Sequence, residues 1–224
     1  MKIGVFDSGL GGHYTLEKCQ KLYPQHTFVG FFDSHNAPYG DKTVAEVYRL
    51  TEAGVNNLFD QECSLVLIAC NTACTQALRR LQEKYSNRNI LGCLIPAAEM
   101  AVDLGATKIG LIGTTRTIQS KKYEREVFKL NPRAKIFSTA TPKLVPWIEL
   151  SQEQGSECKR YLERVIQTLI NKHDITTLIL GCTHYSILKS TLEGLFPNIS
   201  FVDSSEAQAE KLSDYIMRHP ELQQ

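Results

Sequence analysis

The sequence predicts an α/β protein of two similar halves with mainly parallel sheets, and two observations carry that reading. First, short runs rich in Val, Ile, Leu and Phe alternate along the chain with helix-like stretches. The apolar runs do not alternate with polar residues, which is the pattern of strands buried on both faces beneath covering helices. Second, two segments recur at nearly one spacing. Lys2-Ile3-Gly4-Val5-Phe6-Asp7 returns as Lys108-Ile109-Gly110-Leu111-Ile112-Gly113, an offset of 106 residues. Leu65-Val66-Leu67-Ile68-Ala69-Cys70-Asn71-Thr72 returns as Leu178-Ile179-Leu180-Gly181-Cys182-Thr183-His184, the cysteines at an offset of 112 residues.

In chain order, the clearest strands are 3–6, 27–32, 65–69, 109–112 and 178–180, joined by 90–94, 136–138 and 199–202. Helices are expected near 13–23, 43–60, 72–85, 97–104, 117–130, 151–171, 186–195 and 205–217. Strands that alternate with helices make βαβ units and a doubly wound sheet. The division expected is 1–95 for an N-terminal domain, with the boundary near Pro96, and 96–204 for a C-terminal domain. Residues 205–224 form a last helix expected to return to the first domain.

Bulk properties narrow the function. The 224 residues carry a formal charge of +1, so no basic face points to nucleic acid as the main partner. No apolar run approaches the roughly 20 residues of a membrane-spanning helix. Met1 leads straight into a strand-like run without the pattern of a signal peptide, so a cytoplasmic location is expected. The seven cysteines are an odd number in such a chain, which argues against a disulfide framework.

Two of those cysteines are placed for chemistry. Cys70 and Cys182 each directly follow a buried-type strand, and ligands of open α/β sheets bind outside the carboxyl ends of the strands. Thr72 and Thr183 are read as caps of the helices that follow. A thiol at a helix N-terminus ionises more easily, so a thiolate at Cys70 is expected to be accessible. A strand-end cysteine is often plain core, but two in equivalent positions of a repeat tilt the balance toward reactivity. As metal ligands, Cys70 with Cys74, or Cys182 with His184, are too sparse to fill a site, and no metal is expected. The redox Cys-x-x-Cys spacing is absent, and Cys19, Cys63, Cys93 and Cys158 read as structural.

Two loops complete the candidate set. Asp7-Ser8-Gly9-Leu10-Gly11-Gly12 ends the first strand, and its glycines permit close approach to a ligand. It matches neither the dinucleotide fingerprint nor the P-loop, but its backbone N–H groups suit a carboxylate or phosphate. Asp33-Ser34-His35-Asn36-Ala37-Pro38-Tyr39-Gly40 follows another strand and on its own reads as a turn.

Taken together and in order, these segments resemble the aspartate/glutamate racemase superfamily, and glutamate racemase within it. The resemblance rests on Phe6-Asp7-Ser8-Gly9-Leu10-Gly11-Gly12, Pro38-Tyr39-Gly40 and Ala69-Cys70-Asn71-Thr72-Ala73. Its second half rests on Gly113-Thr114 with Thr117, Val145-Pro146 with Glu149, and Gly181-Cys182-Thr183-His184-Tyr185. It spans most of the chain, and it implies two α/β domains that face each other across a cleft. It further implies cofactor-independent racemisation of glutamate, with Cys70 and Cys182 on opposite faces of the substrate, serving bacterial peptidoglycan. Asp7, Glu149 and His184 are implied as polar helpers of the cysteines. Asp7, Ser8, Pro38, Tyr39, Gly40, Asn71, Thr72, Thr117, Thr183 and His184 are implied as substrate-binding. Glutamate is then the partner, neither nucleic acid nor membrane is, and a homodimer is compatible.

The implied chemistry explains the pair. Racemisation takes the α-proton from one face and returns one to the other, so one thiolate and one thiol on opposite sides serve both directions. With no electron sink, hydrogen bonds to the carboxylate and exclusion of water must stabilise the carbanion-like transition state.

Three features depart from the family pattern. His13-Tyr14 follow Gly12 where the family has an apolar and then a small residue; a helix-surface histidine is the favoured reading. The chain ends soon after Asp203-Ser204-Ser205, where many members continue, and His35-Asn36 precede Pro38. Two other readings stay open: a racemase of aspartate or another small acid, and a shortened paralogue that binds without turnover.

Overall fold

The computed structural model describes residues 1–223. It contains two four-stranded sheets, each wholly parallel. The first comprises β1 (Lys2–Asp7), β2 (Thr27–Phe32), β3 (Leu65–Ile68) and β4 (Asn89–Gly92), in the order β2-β1-β3-β4. The second comprises β5 (Lys108–Gly113), β6 (Lys135–Ala140), β7 (Thr177–Gly181) and β8 (Ser200–Asp203), in the order β6-β5-β7-β8. The two orders are the same pattern, so the recurrence read in the sequence is a repeat of topology: β1 matches β5 and β3 matches β7.

Eleven α-helices are present among the described residues. They are α1 (Gly12–Leu22), α2 (Val44–Asp60), α3 (Asn71–Gln76), α4 (Leu78–Lys84), α5 (Leu94–Asp103) and α6 (Thr115–Gln119). The remainder are α7 (Lys122–Leu130), α8 (Leu144–Glu149), α9 (Ser156–His173), α10 (Lys189–Leu195) and α11 (Ser204–Arg218). None of them is long and apolar enough to cross a membrane.

Strand side chains explain the layering. In β1 and β3, Ile3, Val5, Leu65 and Leu67 pack with Cys19 of α1 and with Ala209, Leu212 and Ile216 of α11. Their neighbours Phe6, Val66 and Ile68 point the other way, onto Val47, Val55 and Leu58 of α2 and Leu81 of α4. The second sheet repeats this: Ile109, Leu111 and Ile179 face α5 and α7, while Ile112, Leu178 and Leu180 face α8, α9 and α10. In central strands such as β3 and β7, covered on both faces, neither side can be strongly polar, hence their uninterrupted apolar runs. Helix α11 serves both halves, because its Ala207 joins the second sheet's core while Ala209, Leu212 and Ile216 join the first. Residue 224, the last of the expected terminal segment, lies outside the described residues.

Several element boundaries differ from the expectation. The stretch 72–85 is two helices that meet at Ala77, whose backbone (φ −117°, ψ −35°) departs from the helix without a glycine or proline to signal it. The stretch 117–130 is likewise two helices, separated by Lys121 in the left-handed region at φ 54°. The helix expected at 97–104 starts at Leu94, because Pro96 falls in its first turn, where a missing N–H breaks no hydrogen bond. Strand β4 occupies 89–92 rather than 90–94, and the helix expected from 151 begins at Ser156. The stretch 186–195 is a 3₁₀ turn, Thr183–Leu188, followed by α10. The sequence reading missed α8, whose first turn contains Pro146 and whose last residue is Glu149.

Candidate active site

Strands β3 and β7 are central in their sheets, and each carboxyl end delivers a cysteine. Cys70 follows β3 and Cys182 follows β7, and both line one cleft between the two sheets. The cleft has a free volume of about 20 Å³ and is also lined by Ser8, Pro38, Tyr39, Gly40, Asn71, Thr72, Thr183 and His184. Ten of the residues named from the sequence therefore meet in one place. Asp7, Thr117 and Glu149 stand behind that wall, hydrogen-bonded to residues that form it. Thr114, Val145 and Ala37 line the cleft without having been named as site residues. His13 is exposed, and its ring packs on Phe32 at 4.4 Å. Asn36 turns its amide to Asp33.

The two thiols sit in unlike surroundings. Cys70 is itself the N-cap of α3: its Sγ accepts from the Ala73 N–H at 3.5 Å and lies 3.2 Å from the Ser8 hydroxyl. Thr72 is thus not the cap, and its hydroxyl instead meets that of Thr114 at 2.8 Å. The expectation of an easily ionised Cys70 is also corrected. Burial holds its thiol well above the usual range and the nearby Asp7 adds to this, outweighing the Ser8 and Ala73 hydrogen bonds. Desolvation opposes the thiolate more strongly than the start of one short helix favours it.

Cys182 lies 3.8 Å from Nδ1 of His184, and Nε2 of the same ring bonds the Glu149 carboxylate. Burial alone would lower the imidazole's pKa. The hydrogen bonds to Cys182 and Glu149 overcome that and raise it to about 10. In turn, the His184 hydrogen bond lowers Glu149. This chain of three places a protonated imidazole beside the Cys182 sulfur. Thr183 does not cap with its side chain either. It reaches across to Asp7, donating to Oδ2 at 3.0 Å, while the Gly9 N–H serves Oδ1 at 3.0 Å. Asp7 is fully buried, and desolvation raises its carboxyl to about 6.

Close approach of the two halves depends on one glycine. A Cβ on Gly11 would stand 2.4 Å from Thr183 Oγ1 and 2.7 Å from the His184 backbone nitrogen, so only a glycine lets the first loop lie on the second. Asn71 ties the halves together beside the cleft, its amide engaged by Tyr123 of α7 at 2.6 Å and by Ser204 of α11 at 2.9 Å. These bonds join residues 52 and 133 apart in sequence, so no local pattern signals them. The remaining cysteines are free and buried, and Cys74 donates to the Ile68 carbonyl at 3.0 Å. Among the described residues, no group of three or more His, Cys, Asp or Glu is arranged to hold a metal ion.

Two thiols at equivalent strand ends, one beside an imidazole and one beside a hydroxyl, face a small hydroxyl-rich cleft. Comparison with known proteins points the same way. The family model for Asp/Glu/Hydantoin racemase matches residues 15–212. A glutamate racemase of Clostridium novyi is 35% identical over 224 residues, covering 99% of this chain and 86% of the relative. The crystal structure of glutamate racemase from Francisella tularensis in complex with D-glutamate superposes with a TM-score of 0.89 at 27% identity, covering 98% of this chain and 82% of that one. Glutamate racemase isoform RacE1 from Bacillus anthracis gives 0.86 at 33% identity, covering 96% and 81%.

Proposed function

This chain belongs to the Asp/Glu/Hydantoin racemase family, and from that premise we propose that it interconverts L- and D-glutamate by passing the α-proton between Cys70 and Cys182. The observation that carries this reading is the shared cleft: two thiols, from equivalent strands of a repeated fold, with partners of opposite kind. His184 stands 3.8 Å from the Cys182 sulfur as its proton-bearing partner, and burial favours a neutral thiol on Cys70. In one direction the Cys182 thiolate takes the α-proton with its own lone pair, the C–H bonding pair stays on the α-carbon, and that pair takes the proton of the Cys70 thiol on the opposite face, leaving Cys70 as the thiolate. Each turnover leaves the roles exchanged, and the reverse reaction restores them. Both protons and both electron pairs balance without a further reactant.

The Ser8 hydroxyl and the second N–H of the Asn71 amide can donate to a carboxylate of a small amino acid, while the hydroxyl oxygens of Thr72, Thr114 and Thr183, whose protons are engaged within the protein, can accept from its ammonium. Donors that strengthen as charge moves onto the substrate carboxylate stabilise the transition state, and a closed cleft strengthens them further by excluding water. D-Glutamate formed in this way would serve peptidoglycan in the cytoplasm. A circular-dichroism time course tests the substrate. The signal of pure L-glutamate and of pure D-glutamate should decay to zero at comparable rates, with aspartate slower by orders of magnitude. Constant glutamate signals with decaying aspartate would reassign the substrate, and constant signals throughout would support a binding protein. Light scattering on the eluted protein checks for the homodimer.

A further inference from the structure

The segment between β2 and α2, residues 33–42, forms one wall of the cleft through Pro38, Tyr39 and Gly40. Both its ends belong to the first half: Asp33 N–H donates to the Asp7 carbonyl at 3.0 Å, and Thr43 starts α2 through a reciprocal capping box with Glu46. Inside, Asp33 gathers the segment by accepting from Tyr39 Oη at 2.7 Å and Asn36 Nδ2 at 2.9 Å. Its middle crosses to the second half. Gly40 packs so closely on Thr114 that a Cβ there would lie 3.0 Å from the threonine's Cβ. Arg116 of α6 then donates from Nε to the Lys42 carbonyl at 2.6 Å. The arginine backbone is braced in turn, its carbonyl accepting from Gln76 of α3 at 3.4 Å.

We infer that Arg116 is a positioning residue, a latch that fastens the 33–42 wall over bound substrate and must release for substrate to come and go. The cleft's free volume is about 20 Å³, room for about one water and too little for an amino acid, so its walls must part before substrate can enter. Arg116 stands where they part, half-buried and outside the cleft lining. Its bond is charge-assisted, so its loss favours the open form by a factor of about ten. The acceptor is a backbone carbonyl, so the latch depends on the arginine and not on the lysine side chain. Closing strength then appears in substrate affinity rather than in the proton transfers, which Arg116 does not touch.

The inference rests on the racemase reading, so the wild-type chain is assayed first on both enantiomers; an inactive wild type fails that reading and leaves the latch to the exchange measurement below. Arg116→Met keeps length and removes the donor. Its KM for L- and D-glutamate should rise about tenfold with kcat kept within about twofold. Arg116→Lys should recover most of the lost affinity, and Lys42→Ala should match the wild type. Hydrogen exchange of the 33–42 amides, independent of activity, should be faster in Arg116→Met than in the wild type. Unchanged KM and unchanged exchange in Arg116→Met, or a fall in kcat at constant KM, would overturn the latch.

Discussion

The Thr183 hydroxyl donates to the buried Asp7 carboxylate across the cleft, at 3.0 Å and over a sequence separation of 176 residues. This bond joins the loop after β1 to the turn after β7, and each loop sits beside one of the two thiols. Asp7 also bears on Cys70 electrostatically. The pair therefore sets both the spacing of the halves and the charge that Cys70 experiences.

Removing the donor should weaken both effects. Thr183→Val keeps the shape and leaves the Asp7 oxygen with one hydrogen bond fewer in a buried place, a loss of about 1–3 kcal/mol. We expect kcat/KM to fall tenfold to about a hundredfold in steady-state assays. The fall must be equal for the two enantiomers, because they have the same free energy in water. A Thr183→Val enzyme at wild-type kcat/KM would show the bond to be incidental.

Acid and alkaline limits of activity should follow from the same groups. His184 holds its proton up to about 10, so the imidazolium that faces Cys182 is present below that pH and lost above it. Asp7, raised to about 6, is ionised above that pH and neutral below it. The kcat/KM profile should therefore fall below about 6 and above about 10. Glu149→Gln removes one of the partners that raise His184, so its alkaline limb should move to lower pH. An alkaline limb unmoved in Glu149→Gln would detach it from His184.

Gly11 gives a steric test. In Gly11→Ala, the added methyl group meets Thr183 and the His184 backbone, and the backbone cannot swing aside. Gly11 itself has ordinary helical angles (φ −57°, ψ −24°), so any effect comes from the contact rather than from strain. The expected cost is about 1–3 kcal/mol in stability, seen as a lower melting temperature, together with a larger KM. Unaltered melting and kinetics would mean that the halves have room to spare.

Much of this architecture could be read from the sequence because strands buried on both faces have to be apolar. Val66, Leu67 and Ile68, or Leu178, Ile179 and Leu180, leave little else for those segments to be. Cys70 and Cys182 stood out because each ends such a run. Helix interruptions were hidden: Ala77 and Lys121 break helices although both residue types suit a helix interior, and Pro146 hid α8 while lying in its first turn. The caps were misassigned because Thr72 and Thr183 carry better capping side chains than a cysteine does. Their hydroxyls are committed instead to Thr114 and Asp7, partners that only the folded chain brings near. The ionisation of Cys70 was misread for a similar reason, since burial cannot be seen in a local motif.

The central claim is that two thiols act on opposite faces of one substrate, and turnover of both enantiomers by single cysteine variants tests it most directly. Cys70→Ser and Cys182→Ser should each lose racemisation in both directions, by roughly 10²–10⁴-fold or more. Cys74→Ser and Cys158→Ser, buried but outside the cleft lining, should keep most of it. Full activity in either of the first two variants would contradict the two-base account.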